Sequence, residues 1–190
     1  MQAMIAIMKK TGWLCFLLLI SAFPAQADEQ DALLKIHATL LPKTVLMDYQ
    51  FEQKLIDNAI VVGVFCEKRG RFSAERLAKY ILLKYKNGIK DYPVKVKIFY
   101  YDNLPVSAMA ATIYYFMPAS ANCISTTLEL LQDERLIFSS DPADLRLGTI
   151  ISIMVKQRVK PIINIDALRK RNISLRPVIM KISKMYYQPQ

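Results

Sequence analysis

The 190-residue chain has few of the residues that enzymes use for catalysis. Its single histidine, His37, excludes a metal centre built from several histidines, and a Ser-His-acid site would have to use it. Only five glycines occur, and they form no phosphate-cradling loop. The nearest acidic pairs, Asp133–Glu134 and Asp141–Asp144, fall at a helix end and in a turn, where solvated or capping carboxylates are usual. We therefore predict a non-enzymatic protein with no metal and no cofactor.

The first 27 residues have the pattern of a secretory signal peptide. A pair of lysines precedes an apolar run over residues 12–22, and a small-x-small site ends at Ala27. The run is too short to span a bilayer comfortably, which disfavours an uncleaved membrane anchor. We predict cleavage after Ala27, a mature chain that begins at Asp28, and a periplasmic location.

The chain is basic. Its formal charge is +10, and residues 28–190 have +8, because the signal segment contains two lysines and no acidic residue. An exported protein rarely meets nucleic acid, so we expect no nucleic-acid partner. Anionic envelope surfaces or an acidic protein are the expected counterparts, and a merely solvated basic surface is the alternative.

Apolar runs of strand length alternate with helical patterns across residues 28–190. This order predicts one α/β domain, with a mixed, largely parallel sheet, flanking helices and a C-terminal β-hairpin followed by helices. The alternating strand with Lys95 and Lys97 suits a sheet edge. Pro42 should kink or split the first helix. The predicted strands are 59–66, 94–101, 112–117, 136–138, 149–155 and 159–165, and the predicted helices are 31–58, 74–86, 123–132, 167–171 and a last one near the C-terminus.

Several polar residues have the chemistry of helix caps. Ser73 and Asp166 precede two of the predicted helices, and Ser174 precedes the last one, with Pro177 tolerated in its first turn. Asn172 can adopt the left-handed conformation that closes the turn between the last two helices.

Two cysteines, Cys66 and Cys123, remain after removal of the signal peptide. One ends a predicted strand and the other begins the helix that follows a second strand. If these strands are parallel, both cysteines lie at one edge of the sheet, where a disulfide is geometrically feasible. We predict the bridge Cys66–Cys123, and two free thiols are the alternative.

The last third of the chain carries a family resemblance. A strand followed by Ser140 and Asp141, a short loop to Gly148, a hairpin, and a capped helix are arranged as in the C-terminal half of YfiR-like proteins, which this segment resembles. The motif contains no catalytic residue, and Asn172 stands where family members often have glycine. The matching residues are Ser140, Asp141, Gly148, Ile163, Asn164, Ile165, Asp166, Ala167, Leu168, Ile173 and Leu175.

The resemblance implies a periplasmic regulator. YfiR-like proteins include one that restrains a membrane-bound diguanylate cyclase through its periplasmic sensor domain. This chain would then bind an inner-membrane sensor protein of that type and keep it inactive until an envelope-stress or redox signal releases it. The first helix and the C-terminal hairpin are the candidate interfaces. The sequence is also compatible with a homodimer.

Two other functions remain compatible with the sequence. The first is a small-ligand-binding module that uses the cleft at the C-terminal ends of the parallel strands. The second is contact with lipid or surface polysaccharide through a set of lysines, namely Lys84, Lys86, Lys90, Lys95 and Lys97.

Overall fold

The computed structural model describes residues 24–104, 110–131, 134–155 and 158–188. Met1–Leu33 and Leu34–Gln190 form two compact units, and only the start of a helix is described in the first. The predicted signal peptide lies almost entirely outside the described residues, so cleavage after Ala27 stays a prediction. In the part of the chain that is described, no helix is long and apolar enough to cross a membrane.

The described chain alternates helices and strands in the predicted order. Short 3-10 helices occupy Phe51–Lys54, Lys68–Gly70 and Pro142–Leu147. The helices are α1 (Pro24–Val45), α2 (Arg71–Lys84), α3 (Ala121–Leu130), α4 (Ile165–Lys170) and α5 (Pro177–Ile182). The strands are β1 (Ile60–Cys66), β2 (Val94–Tyr100), β3 (Ile113–Phe116), β4 (Leu136–Ser139), β5 (Ile151–Val155), β6 (Val159–Asn164) and β7 (Lys184–Tyr186).

One seven-stranded sheet, ordered β2-β1-β3-β4-β5-β6-β7, organises the second unit. The strands from β2 to β5 are parallel, β6 is antiparallel to β5, and β7 is parallel to β6. This confirms the predicted α/β class, the largely parallel sheet and the C-terminal hairpin. β2 is the edge strand, and its Lys95 and Lys97 are exposed, as predicted. The second edge strand, β7, was not predicted.

The two faces of the sheet carry different helices. Because β1–β2 and β3–β4 cross over in opposite directions, right-handed connections place α2 and α3 on opposite faces. The α1 face contains α1 and α2, whose adjacency is shown by the Tyr85 hydroxyl, which donates to the Thr39 carbonyl. On the α3 face, the Phe65 ring packs against the rings of Phe99, Tyr114 and Phe116. The strands β1, β3 and β4 are therefore buried on both faces, as their continuous apolar runs require.

The first helix ends at Val45, whereas the sequence predicted a helix that continues to residue 58. Pro42 lies within its last turn. The chain leaves the helical direction after Val45. The buried Asp48 carboxylate there accepts hydrogen bonds from the Gln50 N–H (2.9 Å) and from Lys54 Nζ (2.6 Å). These side-chain bonds offer the backbone an alternative to the helix, which the apolar spacing after Val45 did not reveal.

The predicted cap of α4 is wrong by two residues. Asn164, not Asp166, caps this helix, since its side-chain oxygen accepts from the Ala167 N–H at 3.0 Å. Asn164 is buried at the end of β6, and its amide also donates to the Leu145 carbonyl at 2.7 Å. Burial therefore favours the neutral amide, while Asp166 stays nearer the surface.

Two other predicted caps are wrong as well. α2 begins at Arg71, ahead of Ser73, and α5 begins directly at Pro177 without a side-chain cap from Ser174. Pro177 supplies the first helical position with its fixed φ, so no capping hydroxyl is needed there. Asn172 does adopt the predicted left-handed conformation, with φ of 53°.

Candidate protein-binding site

Both cysteines lie at the carboxyl edge of the parallel strands, Cys66 at the end of β1 and Cys123 in the first turn of α3. Burial and, secondarily, the charge of Glu75 raise the pKa of the Cys66 thiol to about 11. Both thiols are close enough to the Tyr101 hydroxyl to contribute to its raised pKa, whose main cause is burial. In the structure both are free thiols, so the predicted bridge Cys66–Cys123 is absent from it. The shared edge agrees with the sequence prediction, and the bridge stays a prediction for the oxidised protein.

His37 lies in the core. It is fully buried on α1, and its Nδ1 shares a hydrogen bond of 2.6 Å with the Tyr115 hydroxyl. Its ring meets those of Tyr115 and Phe138 edge-on, with centroids 5.6 and 5.5 Å apart. Among the described residues, Nε2 has no hydrogen-bond partner. Burial lowers the pKa of His37 to about 4, so the ring is neutral near pH 7.

The acidic residues have structural roles. Asp141 caps the 3-10 helix by accepting from the Ala143 N–H (2.8 Å), which is the capping role predicted for it. Ser139 Oγ donates to Asp144 at 2.5 Å, and burial raises the pKa of that carboxyl. Asp133 lies outside the described residues. Within the described ranges, no group of three or more histidine, cysteine or acidic side chains could hold a metal ion.

A polar cavity of about 590 Å³ lies on the α3 face. Its walls come from α3, α4, the segment around Gly148 and the chain near Gln188. None of its lining residues ends a parallel strand, so this cavity is not the ligand cleft predicted at the carboxyl edge. It is lined by Ser125, Leu128, Glu129, Leu147, Gly148, Asp166, Ala167, Lys170, Arg171 and Gln188.

A second groove, of about 210 Å³, lies on the α1 face between α1, the β5–β6 hairpin and α5. Its lining is apolar except at the end of α1, where Lys43 and Thr44 contribute. The structure therefore brings together the first helix and the C-terminal hairpin, the two predicted interface elements. The lining residues are Leu40, Lys43, Thr44, Met47, Phe138, Ile151, Ile153, Pro161, Val178, Ile179 and Ile182.

The apolar surface continues from this groove along the two hairpin strands to Val155 and Val159. Alternate residues of a strand share a face, so the cross-strand pairs Ile153–Pro161 and Val155–Val159 both point to the α1 face. Val155 is 43% exposed and Val159 is 45% exposed. Helix α5 therefore covers the hairpin only in part.

Helix α5 adds two further apolar side chains to this surface. Ile179 faces the core, whereas Val178 is 55% exposed and Ile182 is 57% exposed. We call the surface formed by Pro161, Val155, Val159, Val178 and Ile182 the apolar strip, and Ile153, which is buried, lines the groove beneath it. Contiguous exposed apolar surface of this kind is typical of interaction sites, unlike single exposed residues.

The start of α5 is firmly anchored. The Arg176 N–H donates to the Met47 carbonyl at 2.7 Å, and Arg176 Nε donates to the Leu46 carbonyl at 3.0 Å. The guanidinium also lies over the Tyr49 ring, 5.2 Å from its centroid. These contacts tie α5 to the turn after α1, so Val178 projects from a fixed support.

The rim of the apolar strip is basic. Lys43 lines one side of the groove, and Lys181 is exposed next to Ile182 on α5. Of the described residues that line the groove, none is acidic. The surface therefore combines an apolar centre with positive charge at its edge.

Sequence reasoning missed the contribution of α5. Its signal is the apolar set Val178, Ile179 and Ile182 in a helix of only six residues. The three residues span an arc of about 100°, a width that a core-facing helix can bury, and the structure nevertheless buries only Ile179.

No protein-family model and no curated protein matches the chain. A conserved domain protein from Vibrio cholerae O1 biovar El Tor has a similar structure, with 12% sequence identity and a TM-score of 0.54 over 82% of this chain. The ABC domain of a Streptococcus pneumoniae protein, solved with L-Trp, has 13% identity and a TM-score of 0.47 over 75% of the chain. This chain covers 60% of the length of each neighbour. The first likeness supports the α/β fold, and the YfiR-like resemblance stays a prediction.

Proposed function

We propose that the chain is a periplasmic, non-enzymatic regulator that binds the periplasmic region of an inner-membrane signalling protein of the diguanylate cyclase type and restrains it. The observation that carries this proposal is the apolar strip, which stays exposed on a rigid support. The type of partner comes from the YfiR-like resemblance of the segment that forms most of this surface.

Burial of the apolar strip would supply substantial binding free energy. Complete burial of a valine or isoleucine side chain contributes about 1.5–3 kcal/mol, and four such side chains are about half exposed here. Together they could contribute roughly 3–6 kcal/mol on the same scale. Because α5 is held by Arg176, little ordering is required when a partner binds, and more of this free energy remains as affinity.

The shape and charge of the site favour an amphipathic helix with acidic flanks as the bound segment. A groove between helices accepts the apolar face of such a helix through residues spaced three or four apart. Lys43 and Lys181 would then pair with the acidic flanks, and such charge complementarity improves specificity and association rate.

The proposal is testable in cells that lack this gene, by measuring cyclic di-GMP after its reintroduction. The wild-type gene should restore restraint and lower cyclic di-GMP, whereas Val178→Asp with Ile182→Asp should not, because both carboxylates would be buried without partners. Leu130→Asp is the control, since Leu130 is an exposed apolar residue on another helix, α3. Restraint by the strip variant equal to wild type would refute the proposed site.

A small-ligand-binding module is the second candidate, and the polar cavity on the α3 face favours it. Its volume of about 590 Å³ is typical of small-molecule sites, although its location differs from the predicted cleft. Metabolites extracted from the purified protein would test this function. Compounds retained by wild type but lost from Lys170→Glu would support it, and an identical profile for both proteins would not.

A further inference from the structure

The outward side of α2 carries large apolar side chains. Successive residues of an α-helix are rotated by about 100°, which places Phe72, Lys79 and Leu83 near the middle of one side. The opposite side contains Leu77 and Ile81, both fully buried against the sheet. The amphipathic pattern of α2 thus explains its packing but not the apolar residues at the centre of its solvent side.

These residues are unusually exposed. Phe72 is 80% exposed, the highest value for a large apolar side chain among the described residues, and Leu83 is 62% exposed. They are about 16 Å apart along the helix axis at 1.5 Å per residue. Two anchors at that distance on one helix form an extended surface rather than a single exposed side chain.

Basic residues lie between and beyond the two anchors. Arg76 and Lys79 are exposed on the same side, and Lys84 and Lys86 follow near the end of the helix. Glu75 is the one acidic residue of α2, and its carboxylate pairs with Arg71, with 2.6 Å between Oε1 and Nε. The outward side of α2 is therefore strongly positive.

The lysines singled out in the sequence do not form one patch. Lys84 and Lys86 lie at and just after the end of α2, whereas Lys95 and Lys97 point to the α3 face at the sheet edge. Of these lysines, those at the end of α2 are the ones whose own element also carries exposed large apolar side chains.

We propose that the outward side of α2 binds the surface of an anionic phospholipid membrane. An interfacial helix combines basic side chains, which lie at the lipid phosphates, with aromatic and leucine side chains that enter the boundary of the acyl chains. Arg76 and Lys79 would bind phosphates through their charged ends, while Phe72 and Leu83 insert between headgroups.

This contact is separate from the proposed regulation. α2 overlies β1 and β2, at the opposite end of the sheet from the apolar strip on the β5–β6 hairpin and α5. Membrane binding through α2 would keep the protein near an inner-membrane partner and leave the strip uncovered. Either property can exist without the other.

Vesicle flotation with the purified protein tests the proposal. Vesicles of phosphatidylethanolamine with phosphatidylglycerol should carry the wild-type protein, and vesicles of phosphatidylcholine alone should not. Binding should weaken as salt rises, because the attraction to the surface is screened. Equal binding to both kinds of vesicle, or no binding to either, would overturn the proposal.

Variants separate the two parts of the contact. Phe72→Ser with Leu83→Ser should weaken partitioning by about tenfold or more through loss of insertion. Arg76→Gln with Lys79→Gln should weaken it by about twenty-five-fold, since each basic residue near an anionic surface contributes roughly a fivefold factor.

The matched control is Val178→Ser with Ile182→Ser, which removes two exposed apolar side chains from the apolar strip instead. It should float like wild type. Loss of flotation in this control, with no loss in the α2 variants, would show that the strip rather than α2 contacts lipid. That result would also count against the strip as a protein-binding site. If the α2 variants and the control all float like wild type, the membrane proposal is wrong and the proposed function is unaffected.

Discussion

Acidification is expected to destabilise the folded protein through His37. In the folded state the ring is buried against Tyr115 and Phe138, Nε2 has no partner in the part of the chain that the structure describes, and burial lowers the pKa to about 4. In the unfolded chain the pKa returns to about 6.5. Because the folded pKa is the lower one, protonation favours the unfolded state. The stabilising contribution is complete above pH 6.5 and is lost as pH falls to about 4.

The expected loss is sizeable. A pKa difference of about 2.5 units corresponds to roughly 3 kcal/mol at about 1.4 kcal/mol per unit, a large fraction of the stability of a typical domain. The group that bonds His37, Tyr115, does not oppose this change, because burial raises its pKa and keeps it neutral. The raised pKa of Asp144 acts in the opposite direction, since protonation of that carboxyl favours the folded state at low pH.

Urea denaturation from pH 7 to pH 4 measures the effect, and His37→Gln isolates it. The free energy of unfolding of wild type should fall by about 3 kcal/mol more than that of the variant over this range. If the variant is too unstable, NMR titration of wild type gives the pKa directly, since His37 is the sole histidine. Parallel pH profiles, or a ring that titrates near its ordinary pKa, would refute the reasoning.

Three further predictions concern packing, thiols and export. Gly63→Ala should destabilise the fold by about 1–3 kcal/mol, because a Cβ there would lie 3.0 Å from Ala111 Cβ. Gly70→Ala is the control, since its Cβ would lie 3.6 Å from Cys66 Cβ. Equal urea midpoints for the two variants would contradict the packing argument. Thiol titration of the oxidised, denatured mature protein should find no free thiol if Cys66 and Cys123 are bridged, while two thiols would exclude the bridge. N-terminal sequencing of periplasmic protein should begin at Asp28, and an intact Met1 in the membrane fraction would show an uncleaved segment.

The sheet could be predicted because its strands carry strong local signals. The apolar runs around Val62, Tyr115 and Ile137 are bounded by turn residues, and the hairpin around Arg158 is flanked by β-branched residues. The residues that cap the helices could not be predicted exactly, because the choice among them depends on burial. Asn164 and Asp166 have similar local capping chemistry, and only the buried position at the end of β6 selects the amide.

The candidate site could be predicted only as a pair of elements. The first helix and the hairpin were named from the sequence, but the turn at Asp48 and the anchoring of Arg176 to Met47 are contacts between distant residues. These contacts fix α5 beside the hairpin and determine which of its apolar residues face solvent. Local periodicity in a six-residue helix contains no information about them.

The most direct test of the central claim is the affinity of the purified protein for the periplasmic region of a membrane-bound diguanylate cyclase from the same organism. Wild type and Leu130→Asp should bind with equal affinity. Val178→Asp with Ile182→Asp should bind at least about a hundredfold more weakly, because burial of an unpaired charge costs several kcal/mol. Equal affinity of all three proteins would contradict the assignment of the apolar strip as the binding site, and no binding by wild type would contradict the proposed partner.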